Sequence, residues 1–184
     1  NVQKHQPHPP GYYLHVKTAA LLGRAGLDHR TALIALSLMA GLLFVGLMVW
    51  WLTAVGGLWT GVAAGVLTVF SPLVATAATD GRTYMTGALG ATIVGYFSWH
   101  ILRGESRWAL PASLALGLTA GFRPTAAVLI APVWLWALIS LRRKPALASA
   151  AIAAFALLAW VIPFLAAAGG LGEYLEASQR LGGS

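Results

Sequence analysis

The sequence predicts an all-α polytopic membrane protein: about six transmembrane helices plus one interfacial helix, cut from a larger multi-span chain. Three observations carry this expectation. Of 184 residues, 58% are hydrophobic and only 9% are charged. Soluble domains carry about 25% charged residues, so these charges cannot cover a globular surface. The apolar residues fall in long runs, several close to the roughly 20 residues that cross a bilayer. The charges gather in short connections between those runs. The net charge of +7 would point to nucleic acid in a soluble chain. Here the positive-inside rule and lipid phosphates account for it, so membrane lipids are the expected partners and nucleic acid is not. The sequence holds no Cys, which excludes disulfide and thiolate chemistry.

Residues 1–11 stand apart. His5-Gln6-Pro7-His8-Pro9-Pro10-Gly11, continued by Tyr12-Tyr13-Leu14, is the one dense polar and aromatic cluster before the apolar series. Three prolines fix φ and remove donors, so this stretch is neither helix interior nor central strand. A rigid backbone carrying imidazoles and phenols beside a membrane suits a binding site. It also suits a plain extended linker. The chain opens at Asn1 without Met and stops at Gly182-Gly183-Ser184, and is expected to be an internal fragment.

Residues 12–30 read as a helix lying in the membrane interface. His15, Lys17 and Arg24 interrupt the run, and a central charge costs about 2.5–3.5 kcal/mol on insertion scales. Lys17, Arg24 and Asp28 are spaced seven and four apart and would share one face. A short extra crossing is the alternative. The expected spans within residues 31–167 are about 31–53, 58–75, 84–102, 108–121, 125–141 and 146–167, followed by an outer loop over 168–184. Gly57, Gly61 and Gly65 recur every four residues, a stripe along which another helix can approach closely. Phe70-Ser71-Pro72 ends or kinks the second run. Residues 108–141 are 34 long, too many for one crossing at about 1.5 Å per residue. Gly121-Phe122-Arg123-Pro124 sits near their middle and makes a corner between two short helices. Trp99, Trp108, Trp134 and Trp136 read as interface anchors.

Assigning the connections alternately to two sides puts Val55–Gly57, Arg103/Arg107 and Arg142/Arg143/Lys144 together. This basic set is cytoplasmic by the positive-inside rule. The other side, outside the plasma (inner) membrane, then receives His5–Arg30, Asp80/Arg82, Arg123 and the tail. If residues 12–27 crossed instead, the HPPG stretch would leave that group.

With these residues assembled, the pattern resembles the GT-C type glycosyltransferases that use polyprenyl-phosphate sugars, a group with protein O-mannosyltransferases and lipid A aminoarabinose transferases among its members. His8-Pro9-Pro10 is similar to their His/Lys-Pro-Pro element, and Gly11-Tyr12-Tyr13-Leu14 continues it. Likeness around Asp80 and at Gly-Phe-Arg-Pro is looser. The resemblance implies a transferase moving a sugar from a polyprenyl-phosphate donor to a hydroxyl on a protein, lipid or glycan. It also implies a catalytic carboxylate upstream of His-Pro-Pro. Residues 1–10 contain no acid, so the fragment alone is expected to be inactive.

Under that resemblance His8 and Asp80 are the catalytic candidates; His5, Tyr12, Arg82, Tyr84 and Arg123 are the substrate-binding ones. Each has a bland counterpart. His8 fits an exposed loop histidine. Asp80 fits a turn paired with Arg82. Arg123 fits either a phosphate-binding guanidinium or a snorkelling side chain. Lys17 and Arg24 meet lipid phosphate or water. His5 and His8 lie three apart, but Pro7 argues against a helical ligand pair and no third ligand is evident. No metal or other cofactor is expected. A transporter or a non-catalytic scaffold is the competing class. Transporters place broken helices and charges near the bilayer midplane, whereas the polar residues here gather at one rim.

Overall fold

The structure, a computed structural model, describes residues 12–173. Every regular element among them is a helix. In order these are α1 (Tyr13–Arg24), α2 (His29–Gly56), α3 (Leu58–Val69), α4 (Pro72–Thr79), α5 (Tyr84–Leu102), a 3-10 turn (Ser106–Trp108), α6 (Ala109–Phe122), α7 (Pro124–Ile139) and α8 (Arg143–Ala167). The HPPG stretch and the tail beyond residue 173 lie outside the described residues.

Local chemistry sets most boundaries. The carboxylate of Asp28 accepts the backbone N–H of Thr31 at 3.1 Å and caps α2, which satisfies one of the four orphan donors of a helix start. This corrects the expected helix over 12–30. The chain turns at Gly26 (φ 98°), so Asp28 opens the next helix and shares no face with Lys17 and Arg24. Gly57 (φ 85°) joins α2 to α3. At Phe70-Ser71 the chain bends by 62° into α4, where Pro72 takes the first helical position, the one place in a helix that loses no hydrogen bond to proline. Arg123 is extended (φ −155°, ψ 96°) between α6 and α7, because the residue before a proline is pushed out of the helical region.

Helix α5 is the centre, in contact with α2, α4, α6 and α7. Small residues let its neighbours close in. A side chain at Gly87 would meet Arg123 and Ala126, and one at Gly90 would meet Thr119. Val94, Ile101, Ala109, Ala112, Trp134 and Ala137 form the main core. Helix α3 lies on α2 through Gly61 and Gly65, which face Val49 and Thr53, whereas Gly57 belongs to the turn and faces nothing within 4 Å, so the expected packing stripe holds at two of its three glycines. Helix α8 meets α6 along Ala153, Ala156 and Trp160, spaced three and four, which face Gly117 and Gly121. The Trp160 indole donates to the Gly117 carbonyl at 3.0 Å.

Two helices, α2 with 28 residues and α8 with 25, are long and apolar enough to cross a membrane. A third crossing is reached only if the bent α3–α4 pair counts as one. Six separate crossings are not supported. Helix α6 has 14 residues and α7 has 16, hence lengths of about 21 and 24 Å against a hydrocarbon core of about 30 Å. Much large apolar surface remains uncovered, including Leu42, Trp59, Leu67, Leu129 and Ile139. Lipid stabilises such a surface and water does not. Trp134 is not an interface anchor: it is buried, and its indole donates to the Ser113 hydroxyl at 3.0 Å.

At the far end of α5, rings of Trp51, Tyr96, Phe97, Trp99, His100 and Trp108 pack together. Glu105 closes this end. Its carboxylate faces His100 Nδ1 at 2.6 Å and accepts from Arg107 at 2.8 Å and the Trp108 indole at 3.2 Å.

Two outcomes are expected. Gly117→Ala places a methyl about 2.5 Å from the Ala156 methyl and should cost about 1–3 kcal/mol by overpacking, read as a lower unfolding temperature in detergent. Gly46→Ala meets nothing within 4 Å and should raise that temperature by the helix propensity gained, about 1 kcal/mol. Separately, the His100 contact first, then Arg107 and Trp108, pulls Glu105 down from 4.5 to about 2. Its contribution is therefore full above pH 4.5 and is lost as pH falls toward 2. Tryptophan emission should change across that window in wild type and not in Glu105→Gln.

Candidate functional site

The opposite end of α5 gathers polar groups from four separate parts of the chain. The turn from Asp80 to Tyr84 is its base. Gly81 takes a left-handed φ of 72° at a point where its α-carbon faces Leu33 and Ile34 of α2, so a side chain there would be both strained and crowded. Asp80 Oδ1 accepts the backbone N–H of Arg82 at 2.8 Å, and its other oxygen lies 3.5 Å from the Arg82 guanidinium. Asp80 and Arg82 are both exposed.

Three side chains from other elements hold this turn. From α2, the buried Ser37 hydroxyl donates to the Arg82 carbonyl at 2.9 Å. From α1, the buried His15 ring contacts the Gly81 carbonyl through Nε2 at 3.2 Å and the Thr86 hydroxyl through Nδ1 at 3.4 Å. A carbonyl only accepts, so Nε2 carries a proton and donates. Burial lowers the His15 pKa, against a smaller opposing effect of the Gly81 bond. From the α6–α7 corner, Arg123 donates to the Thr83 hydroxyl at 2.9 Å. Its guanidinium also stands 4.1 Å from the centre of the Tyr84 ring, a stacking that delocalised guanidinium favours over ammonium.

The charge balance here is uneven. Asp80 is engaged by Arg82. Among the described residues no carboxylate lies within ion-pair distance of Arg123. A half-buried guanidinium with no described carboxylate as counter-ion, held in place by Thr83 and Tyr84, keeps further N–H donors for an anion that reaches the rim.

An apolar groove of about 440 Å³ runs from this end along α5, between α2 and α6. Its walls include Leu36, Met39, Ile93, Leu118 and Phe122, with Phe97 and Pro111 at the far end. Thr86, Thr119 and Phe122 line the near end. Thr86 is the residue that meets His15, and Phe122 precedes Arg123. From Thr86 to Phe97 the groove follows eleven residues of α5, about 16 Å. The volume is within the range that holds one small ligand or chain.

The structure thus brings Asp80, Arg82, Tyr84 and Arg123 to one end of the bundle, and Tyr12 begins the helix that carries His15 to the same place. His5 and His8 lie outside the described residues, so their relation to this group is not described. Sequence reading missed His15, Ser37, Thr83 and Thr86. A single His or Thr within an apolar run has no local signal; only the tertiary contact marks it. Comparison of the chain with protein-family models, with curated proteins and with solved structures finds no match.

Thr83→Val removes the hydroxyl that receives Arg123 while keeping the side-chain shape. It should cost about 1.5–3 kcal/mol, the range for a hydrogen bond to a charged group, reduced toward 1 by the partial exposure of Arg123. Thr83→Ser should restore most of it. Unfolding in detergent measures both.

Proposed function

We propose that this chain is part of a membrane protein that binds an anionic lipid, its apolar chain in the groove and its phosphate at Arg123. Within that class, the reading we favour is a glycosyltransferase acting on a polyprenyl-phosphate sugar at the outer face of the plasma (inner) membrane. The observation that supports it is an apolar groove whose near end lies at the same end of α5 as Arg123, a guanidinium that no described carboxylate compensates. A lipid phosphate has the two matching halves.

Burying a chain in such a groove contributes about 0.8 kcal/mol for each CH₂ removed from water, though far less when the chain arrives from lipid. The groove therefore selects position rather than affinity, and Arg123 supplies the charge recognition. In the reaction, an acceptor hydroxyl oxygen attacks the anomeric carbon as the bond from that carbon to the carrier phosphate breaks. The leaving phosphate gains charge, which Arg123 stabilises through charge-assisted hydrogen bonds. Tyr84 holds the guanidinium over its ring. Asp80 and Arg82, exposed at the rim, offer an acceptor and donors for sugar or acceptor hydroxyls. The acceptor's proton goes to a carboxylate that the resemblance puts upstream of His8-Pro9-Pro10, and the resemblance gives His8 a hydrogen bond to the acceptor, the donor phosphate or that carboxylate.

The full-length gene product, reconstituted in nanodiscs, should transfer sugar from at least one polyprenyl-phosphate donor. Arg123→Ala should raise the donor KM by about tenfold or more, the loss of a charge-assisted pair. Asp80→Asn should act on turnover or acceptor KM, and His8→Ala on turnover. Transfer that is indifferent to all three substitutions would remove the site. No transfer from any donor, with movement of a solute across the membrane instead, would favour the transporter class.

A further inference from the structure

We propose that His15 is a positioning residue: its buried ring pins α1 to the turn from Asp80 to Tyr84 and so fixes the rim groups of that turn relative to the start of α1. This deepens the reading above and rests on it for its catalytic meaning, but its structural content stands separately.

The turn is held by three polar pegs, one each from α1, α2 and the α6–α7 corner: His15, Ser37 and Arg123. Ser37 and His15 are 0% and 3% exposed, and Arg123 is half-buried. The two buried pegs grip backbone carbonyls, Arg82 for Ser37 and Gly81 for His15. They therefore act on where the backbone runs, and not on any one side chain of the turn. The third peg runs the other way, since Arg123 is itself held by the turn through Thr83. Moving the turn moves Arg123.

Helix α1 has other anchors. Leu14 packs against Gly121, Ala19 is fully buried and Tyr13 meets the Phe164 ring edge-on at 5.9 Å. The Leu14 and Tyr13 contacts are apolar and go to α6 and α8. His15 is the polar link among them. Loss of its ring should leave α1 docked but the turn loose. An unpaired Gly81 carbonyl also recovers its partner easily from water, so the missing bond shows as mobility more than as unfolding.

The ring gives this link a pH dependence. The charged and titratable groups on the elements around it are Tyr13, Lys17 and Arg24 on α1, Asp28, His29 and Arg30 at the start of α2, Asp80 and Arg82 on the turn, Tyr84, Tyr96 and His100 on α5, Arg123 at the corner, and Arg143 and Lys144 at the start of α8. None of these is in hydrogen-bond contact with the ring, whose two partners are Gly81 and Thr86. Burial favours the neutral imidazole. The docked state therefore holds fully above the free value of 6.5 and weakens as pH falls through the lowered docked value.

These 184 residues hold no Cys, and any cysteine elsewhere in the full-length protein is first replaced by serine. Ala20→Cys on α1 and Thr79→Cys beside the turn, both exposed positions, carry a pair of spin labels on the full-length protein in nanodiscs. The distance distribution between them should be narrow at pH 8, broad in His15→Ala, and narrow again in His15→Gln, whose amide can donate to the Gly81 carbonyl. Wild type should broaden below about pH 6.5, and His15→Gln should not respond to pH. In the same samples, His15→Ala should weaken binding of a polyprenyl phosphate by about tenfold, the effect of one lost buried hydrogen bond. A narrow distribution in His15→Ala, or a pH response that survives in His15→Gln, would overturn the positioning role. If the distributions behave as expected but wild type binds no polyprenyl phosphate, the positioning stands and the functional reading falls. If wild type binds polyprenyl phosphate strongly but the distributions do not respond to His15, the functional reading stands and the positioning falls.

Discussion

The close approach of the α6–α7 corner to α5 is the constraint on which the rest depends. Gly87 and Gly90 make it possible, since a side chain at either position would strike Arg123, Ala126 or Thr119. Helices that share a lipid solvent gain little from hiding apolar surface against each other. They associate through packing and a few hydrogen bonds, and small residues let the backbones close to the needed distance. Once the corner sits against α5, Arg123 can reach Thr83 and Tyr84. The turn then lies within range of Ser37 and His15, and the groove between α2 and α6 opens beside it. Two missing side chains on one helix thus set the geometry of a rim built from four elements.

The two ends of α5 treat charge in opposite ways. At the Leu102 end, the carboxylate of Glu105 is met by three donors within a wall of rings, and its charge is spent inside the fold. At the Tyr84 end, Asp80 and Arg82 engage each other at the surface, while among the described residues no carboxylate matches the charge of Arg123. A compensated cluster fixes structure. An uncompensated one is costly unless something else supplies the counter-charge, which is why the second end, and not the first, is read as the site.

Much of the fold was legible because its signals are local. Proline after Ser71 and after Arg123, and glycine at 57, act within a few residues of where they stand, and each marks a real boundary. The packing pair Gly61 and Gly65 was legible for the same reason. What failed was whatever depends on length or on distant neighbours. An apolar run reads as a crossing, yet α6 and α7 are too short to be one, and residues 58–75 break into two helices at an angle. Asp28 continued a plausible face over residues 12–30, but as a cap it belongs to the helix after it. At the site, Asp80, Arg82, Tyr84 and Arg123 were visible as charges or rings at segment ends. His15 and Ser37 were not, because their meaning comes from carbonyls 45 or more residues away.

Helix α8 leaves a different kind of mark on the gene. It is long enough to cross, yet only Ser149, Ala156 and Trp160 are buried in it. One stripe must therefore match α6 in shape, and the remaining circumference need only stay oily. Along that stripe a change from Ala to Leu alters the fit; a quarter turn away the same change is almost silent. The helix thus obeys two alphabets at once, one spelling volume and the other spelling only polarity, and most of its positions are written in the second.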